Sequence, residues 1–124
     1  SFSPGYHGTG TYGSTTFSVQ RGNYTKIGNS VHVEINIGIT ATTATGNAVI
    51  TGLPFTSANN QNAVGSVMMN SYNLSSSSGW VVPYIVANTA DDLRLYLSSD
   101  NTGWVRQPVD TSFDLYLTLD YTAS

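Results

Sequence analysis

Trp80 and Trp104 each follow a glycine where a loop hands over to a strand, and Tyr84 and Tyr96 fall on strand steps expected to face outward or nearly so. Asp100 and Asn101 lie in the loop ahead of Trp104. Flat rings beside short polar side chains are how a protein holds a sugar: the ring stacks on the apolar C–H face while carboxylate, amide and hydroxyl groups take the sugar hydroxyls. Trp104, Trp80, Tyr84, Tyr96, Asn101 and Asp100 therefore form a candidate carbohydrate-binding set. The competing reading is that such rings cover core ends or subunit contacts; Tyr116, a further outward-facing ring, is open to both.

Other constellations each lack a part. His32 and Glu34 point the same way from one strand and offer a base with its orienting acid, or two metal ligands, but a third partner is missing and His7 sits in the Gly-rich opening of the chain. Asp91-Asp92 and Asp100-Asn101-Thr102-Gly103 carry oxygens without the spacing of a calcium loop, and Asp and Asn also close turns with their own side chains. Asp114 or Asp120 would meet other carboxylates only across a symmetry axis, where like charges need a cation or a shared proton. Gly8-Thr9-Gly10-Thr11-Tyr12-Gly13 has the letters of a dinucleotide fingerprint, but a strand-like segment follows where a helix N-terminus is required. No serine stands in a Gly-x-Ser-x-Gly elbow, two histidines leave little for a triad, and no acid/base carboxylate pair can be identified. Asn23-Tyr24-Thr25 and Asn73-Leu74-Ser75 match the glycosylation acceptor pattern, which a chain rich in Asn, Ser and Thr also produces by chance. The expectation is a protein without catalytic residues, cofactor or metal.

What must position these residues follows from composition. The 124-residue chain has the length of one domain and, at 40% hydrophobic, can close a core. Only 9% of its residues are charged, against roughly 25% in ordinary soluble domains. Solubility rests instead on Ser, Thr, Asn and Gly, which are poor helix formers. Four scattered cations (Arg21, Lys26, Arg94, Arg106) and a net charge of -3 provide no basic stripe for nucleic acid. No apolar run approaches the roughly 20 residues of a membrane span. The absence of cysteine rules out disulfides and thiolate chemistry. The chain opens without Met, which suggests a processed product or a fragment.

Residues 1–14 read as a Gly-rich arm or connector, and residues 15–124 as a single β-domain. Val31, Val33, Ile35, Ile37 and Ile39 alternate with His32, Glu34, Asn36 and Gly38; Phe113 to Tyr121 and Leu93 to Leu97 alternate in the same way. Each is a half-buried strand with one wet and one dry face, the pattern of an antiparallel sandwich rather than of a parallel sheet covered on both sides. Gly28-Asn29 and Gly46-Asn47 are hairpin signals needing positive backbone dihedrals. Pro83 marks its strand as a sheet edge or a bulge. About eight or nine strands and no helix are predicted.

The run Gly22-Asn23-Tyr24-Thr25-Lys26-Ile27-Gly28-Asn29-Ser30-Val31, the long alternating strand after it, and the corner Ile50-Thr51-Gly52-Leu53-Pro54-Phe55 resemble, in that order, the C-terminal domains of phage tail fibres and tailspikes over about residues 15 to 124. The resemblance implies a jelly-roll-like sandwich, a homotrimer around a fibre axis, an upstream fibre shaft, and a place on the virion at the host surface. With it comes the expected function: a receptor-binding head for host cell-surface polysaccharide or lipopolysaccharide. The alternative is a structural trimerisation cap or virion decoration module without a receptor of its own. Leu53 and Phe55 are expected to plug the core while Pro54 fixes the turn.

Overall fold

A computed structural model describes residues 1–59 and 62–124. Nine strands follow in chain order: β1 (Gly5–Gly8), β2 (Thr15–Ile27), β3 (Ser30–Thr42), β4 (Ala48–Thr51), β5 (Ala63–Asn70), β6 (Trp80–Ile85), β7 (Leu93–Ser98), β8 (Val105–Arg106) and β9 (Phe113–Thr122). The alternating segments decide the architecture. Val31, Val33, Ile35, Ile37 and Ile39 of β3 are buried, as are Phe113, Leu115, Leu117, Leu119 and Tyr121 of β9. The register sets Ile35 opposite Leu117 and Val33 opposite Leu119, so both apolar rows line one face. Each such side chain contributes roughly 1.5–3 kcal/mol by leaving water.

The β2–β3 connection is a two-residue hairpin, with Ile27 paired to Ser30 across Gly28-Asn29. Only Gly28 takes a positive φ, +60°; Asn29 does not share it. Positive φ at the first central position alone is the type II′ arrangement, in which the first position is glycine's. Farther along, register shifts between Thr16 and Phe17 and between Phe17 and Val19 interrupt β2. Past them Val19 stands opposite Gly38 on the outer side, and Gln20, Gly22 and Tyr24 turn inward opposite Ile37, Ile35 and Val33. That stretch is covered by a smaller aromatic group: Tyr24 meets Phe55 edge-on at 5.2 Å and Phe2 at 6.5 Å. A Cβ on Gly22 would come within 2.6 Å of the Phe2 ring, so the ring lies directly on the backbone there. The corner packs as its sequence predicts: Leu53 is buried, Phe55 packs against the core, and the Tyr121 hydroxyl donates to the Phe55 carbonyl at 2.8 Å.

All strand pairings are antiparallel, but they do not divide into two sheets. The path runs β1-β4-β7-β6-β5-β9-β3-β2, with β8 added to β7. The expected jelly-roll-like sandwich is corrected in this respect to a nearly closed, barrel-like sheet. The reason is β5, which pairs Ala63 and Val64 with β6 and then Gly65 to Asn70 with β9. One strand thus serves both walls.

Residues 1–14, expected to be an arm without regular structure, supply the other join. The Phe2 amide donates to the Gly22 carbonyl of β2 at 2.8 Å, while Gly5 to Gly8 pair with β4. The ends of the sheet path are drawn together, which covers edges that would otherwise offer unpaired amides. Tyr6 of β1 is fully buried. Its oxygen accepts from the Asp110 amide at 3.1 Å, its hydroxyl donates to the Tyr72 oxygen at 2.7 Å, and Tyr72 donates to the Pro108 carbonyl at 2.5 Å. Burial pushes the Tyr6 hydroxyl up to about 12, and raises Tyr72 as well. Both remain neutral donors over the physiological range. Gln107, also fully buried, ties the Ser-rich loop after β5 by accepting from the Ser75 amide at 2.9 Å.

Candidate functional site

β6 and β7 pair along their whole length, Trp80 with Ser98 through Ile85 with Leu93. Because side chains alternate, Pro83, Ile85, Leu93, Leu95 and Leu97 turn into the barrel and Trp80, Val82, Tyr84, Arg94, Tyr96 and Ser98 turn out. Pro83 is tolerated because β5 leaves β6 after Tyr84 for β9, so the Trp80–Pro83 stretch is an edge, one of the two readings its sequence allows. β8 joins the far side of β7, setting Arg106 opposite Tyr96 and carrying Trp104 in just ahead of it.

These outward side chains enclose a cleft of about 170 Å³ lined by Val64, Val82, Tyr84, Tyr96, Ser98 and Trp104. Tyr84 meets Tyr96 edge-on at 5.5 Å, and Tyr96 lies 6.2 Å from the Trp104 ring at 60°. Trp104 is 75% exposed. An aromatic step of this kind gives a ligand an apolar wall, with Ser98 as a polar point. Its volume is below the roughly 300–1,000 Å³ of pockets for drug-sized molecules, so it suits a single ring rather than a long chain.

Charge stands beside the apolar wall. Arg94 donates through Nε and Nη2 to the two oxygens of Asp92, each at 2.9 Å, and through Nη1 to the Tyr96 hydroxyl oxygen at 3.1 Å. The hydrogen bonds to Asp92 hold the Arg94 guanidinium above its ordinary value. Arg106 behaves oppositely: burial depresses it, and the neighbouring Arg94 adds to the depression.

Of the sequence-predicted set, the fold brings Trp104, Tyr84 and Tyr96 together in this cleft. Trp80, 60% exposed, shares the outer face opposite Ser98 but does not line the cleft. Asp100 and Asn101 stay in the β7–β8 turn, where Asn101 takes a φ of 49° and the Thr102 hydroxyl donates to the Asp100 carbonyl at 3.0 Å. Their turn role is what the geometry displays. Val64, Val82, Ser98 and the two arginines were not singled out in the sequence as site residues. Arg94 stands two residues from Tyr96, a same-face spacing that is readable; Arg106 reaches the site only through the β7–β8 register.

The wall opposite carries a different surface. Tyr116 and Met68, 51% and 65% exposed, pair across β9 and β5 on a broad outer face, beside a hollow of about 280 Å³ that Glu34, Asn36, Ser66 and Thr118 also line. On that face His32 gains the partner its sequence neighbourhood lacked: its Nδ1 lies 2.5 Å from Asp120 Oδ1, with Nε2 3.4 Å from Glu34 Oε1. The hydrogen bond to Asp120 raises the imidazole above its ordinary value. Among the described residues no three His, Asp or Glu side chains gather as a metal ion would require. Comparisons with protein-family models, curated proteins and solved structures return no match for this chain.

Proposed function

We propose that the chain is a non-enzymatic receptor-binding head at the distal end of a phage tail fibre or tailspike, holding host cell-surface polysaccharide or lipopolysaccharide in the cleft of Trp104, Tyr96 and Tyr84. The observation that carries this reading is the cleft itself: aromatic rings held on the barrel exterior by a rigid strand pair, with one ring left largely in water. An exposed tryptophan over a pocket of one-ring size is a poor core element and a good stacking platform. Homotrimerisation multiplies a weak single-site affinity by avidity, which suits a reversible search over a cell surface. The exposed Met68–Tyr116 pair on the outer sheet face supports such a contact between copies. The fibre-tip reading also carries a jelly-roll-like arrangement; two antiparallel walls facing across a common core are in keeping with it.

The test is competition for attachment. The isolated chain should block adsorption of the parent virus to its host, and Trp104→Ala should remove that block while melting like the wild type. Unchanged blocking by Trp104→Ala would sink the cleft as the contact. Size-exclusion chromatography with light scattering should give a trimer mass; a stable monomer at micromolar concentration would remove the trimer and weaken the fibre reading. A second reading draws on the same Met68–Tyr116 surface: a trimerisation cap or virion decoration module attached to an upstream depolymerase or shaft. Trimers that fail to compete for attachment would favour it.

A further inference from the structure

Arg106 stands opposite Tyr96 in the β7–β8 register, so both side chains project from the barrel exterior beside the aromatic cleft. Its Nε and Nη2 are covered, yet neither has a hydrogen-bond partner. The carboxylate that acts on it, Asp92, is already engaged: Arg94 holds both of its oxygens. Tyr96, whose oxygen also lies within reach of this cluster, accepts from Arg94 instead. Two guanidiniums therefore share one carboxylate, and the face keeps a surplus positive charge on a chain whose net charge is -3. A half-buried cation with two covered, unmet donors opposes folding. Such a group persists where it meets a partner from outside the chain, the pattern of functional sites held at the expense of stability.

We propose that the saccharide taken by the cleft is anionic, with Arg106 binding the oxyanion substituent while Trp104, Tyr96 and Tyr84 hold the sugar ring. This rests on the glycan reading above and narrows it. A guanidinium offers a planar fork that matches a carboxylate, sulfate or phosphate through two parallel hydrogen bonds. No hydrogen bond holds Arg106 Nε or Nη2, so none has to be broken for them to take an oxyanion; the side chains that cover them must shift to admit it. The apolar wall lowers the local dielectric and strengthens that contact.

The experiment is an array of immobilised saccharides in neutral, uronate, sialylated, sulfated and phosphorylated forms, probed with the wild-type chain, Arg106→Gln and Arg106→Lys. Binding should concentrate on anionic members, and the charge type of the best of them separates carboxylate from ester. Arg106→Gln should lose about tenfold or more on that member, as removal of a charge-assisted hydrogen bond implies. Arg106→Lys, which keeps the charge without the fork, should fall between. Methyl esterification or desulfation of the bound saccharide should reproduce the Gln effect on the wild type. Binding confined to neutral saccharides, unaffected by Arg106→Gln, overturns the anionic assignment and leaves the glycan reading standing; no binding to any saccharide overturns both. A melting curve adds an independent readout. Arg106→Gln should melt at or above the wild-type temperature, and a clear drop would make Arg106 a structural residue and remove the proposal.

Discussion

The barrel has two walls built to different rules. In the β2-β3-β9-β5 wall the strands are long, β3 and β9 line the interior with aliphatic residues bounded by Phe113 and Tyr121, and the outer face mixes neutral polar and charged side chains with the exposed Met68–Tyr116 pair. In the β6-β7-β8 wall the strands are short, β8 has two residues, and the outer face holds Trp104, Tyr84, Tyr96 and an arginine without a partner. The first wall keeps its local preferences in agreement with the fold along β3 and β9. The second departs from them on its outer face alone, since Leu93, Leu95 and Leu97 beneath are as well buried as anything in β3 or β9. Core and candidate cleft are thus separated by the alternation of a single strand: in β7 the even-numbered residues face the outer side that carries the cleft and the odd-numbered ones the core.

That separation can be broken from the frame downward. Leu117→Ala, at a core position of β9, should lower the unfolding free energy by about 2–5 kcal/mol, read by urea denaturation, with the folded fraction still binding normally. A loss below about 1 kcal/mol would mean that the long wall is not the frame. Tyr72→Phe should come next, at about 1–3 kcal/mol, because it leaves the Tyr6 hydroxyl and the Pro108 carbonyl short of a partner.

Smaller still is the effect of His32. Its pKa is raised in the folded state, so the stabilisation is fully present below the unfolded value near 6.5 and fades as pH rises through the higher folded value. His32 meets Glu34 from its own strand and Asp120 from β9, while Thr25 of β2, opposite it, carries no charge. The side chains are 44% exposed for His32 and 75% for Asp120, so solvent screening keeps the contribution below about 1 kcal/mol. An NMR titration should place His32 above 6.5 in the wild type and lower in Asp120→Asn; identical titrations would remove the pair as the cause. Trp104→Ala should be smallest on this scale, within about 0.5 kcal/mol of wild type by denaturation, while being the variant that most reduces saccharide binding. A large destabilisation would show that the two roles are not separated as drawn.

How much of this was legible follows the same division. β3, β7 and β9 announce themselves because each buries one face and shows the other to water, which writes a period of two into the sequence. β1 does not: of its residues Gly5, Tyr6, His7 and Gly8, only Tyr6 brings a large apolar group to the core, so the segment reads as an arm. The bulge in β2 was hidden for a related reason, since Val19 looks like the next inward step after Phe17 and instead turns out. The closing of the walls into one path depends on β5 changing partners midway, a matter of tertiary register that no local pattern encodes. Trp104, Tyr84 and Tyr96 were readable as outward aromatics. Asp100 and Asn101 had the right chemistry for a sugar but were already committed to their turn, and Arg106 became visible only when β8 was laid against β7.

The β3–β9 ladder has a consequence in time. It pairs Ser30 with Thr122 and Ile39 with Phe113, so β3 waits for a strand that is translated long after it. β5 waits with it, because its pairing from Gly65 to Asn70 is with the same β9. The long wall therefore forms after the ribosome has delivered Tyr121, and its assembly is governed by loop closure over most of the chain, a regime in which folding takes milliseconds to seconds rather than microseconds. Until then β3, already paired with β2 through their hairpin, presents five buried-type aliphatic residues and one unpaired edge, and the Ser, Thr and Asn around them help to keep the nascent chain in solution.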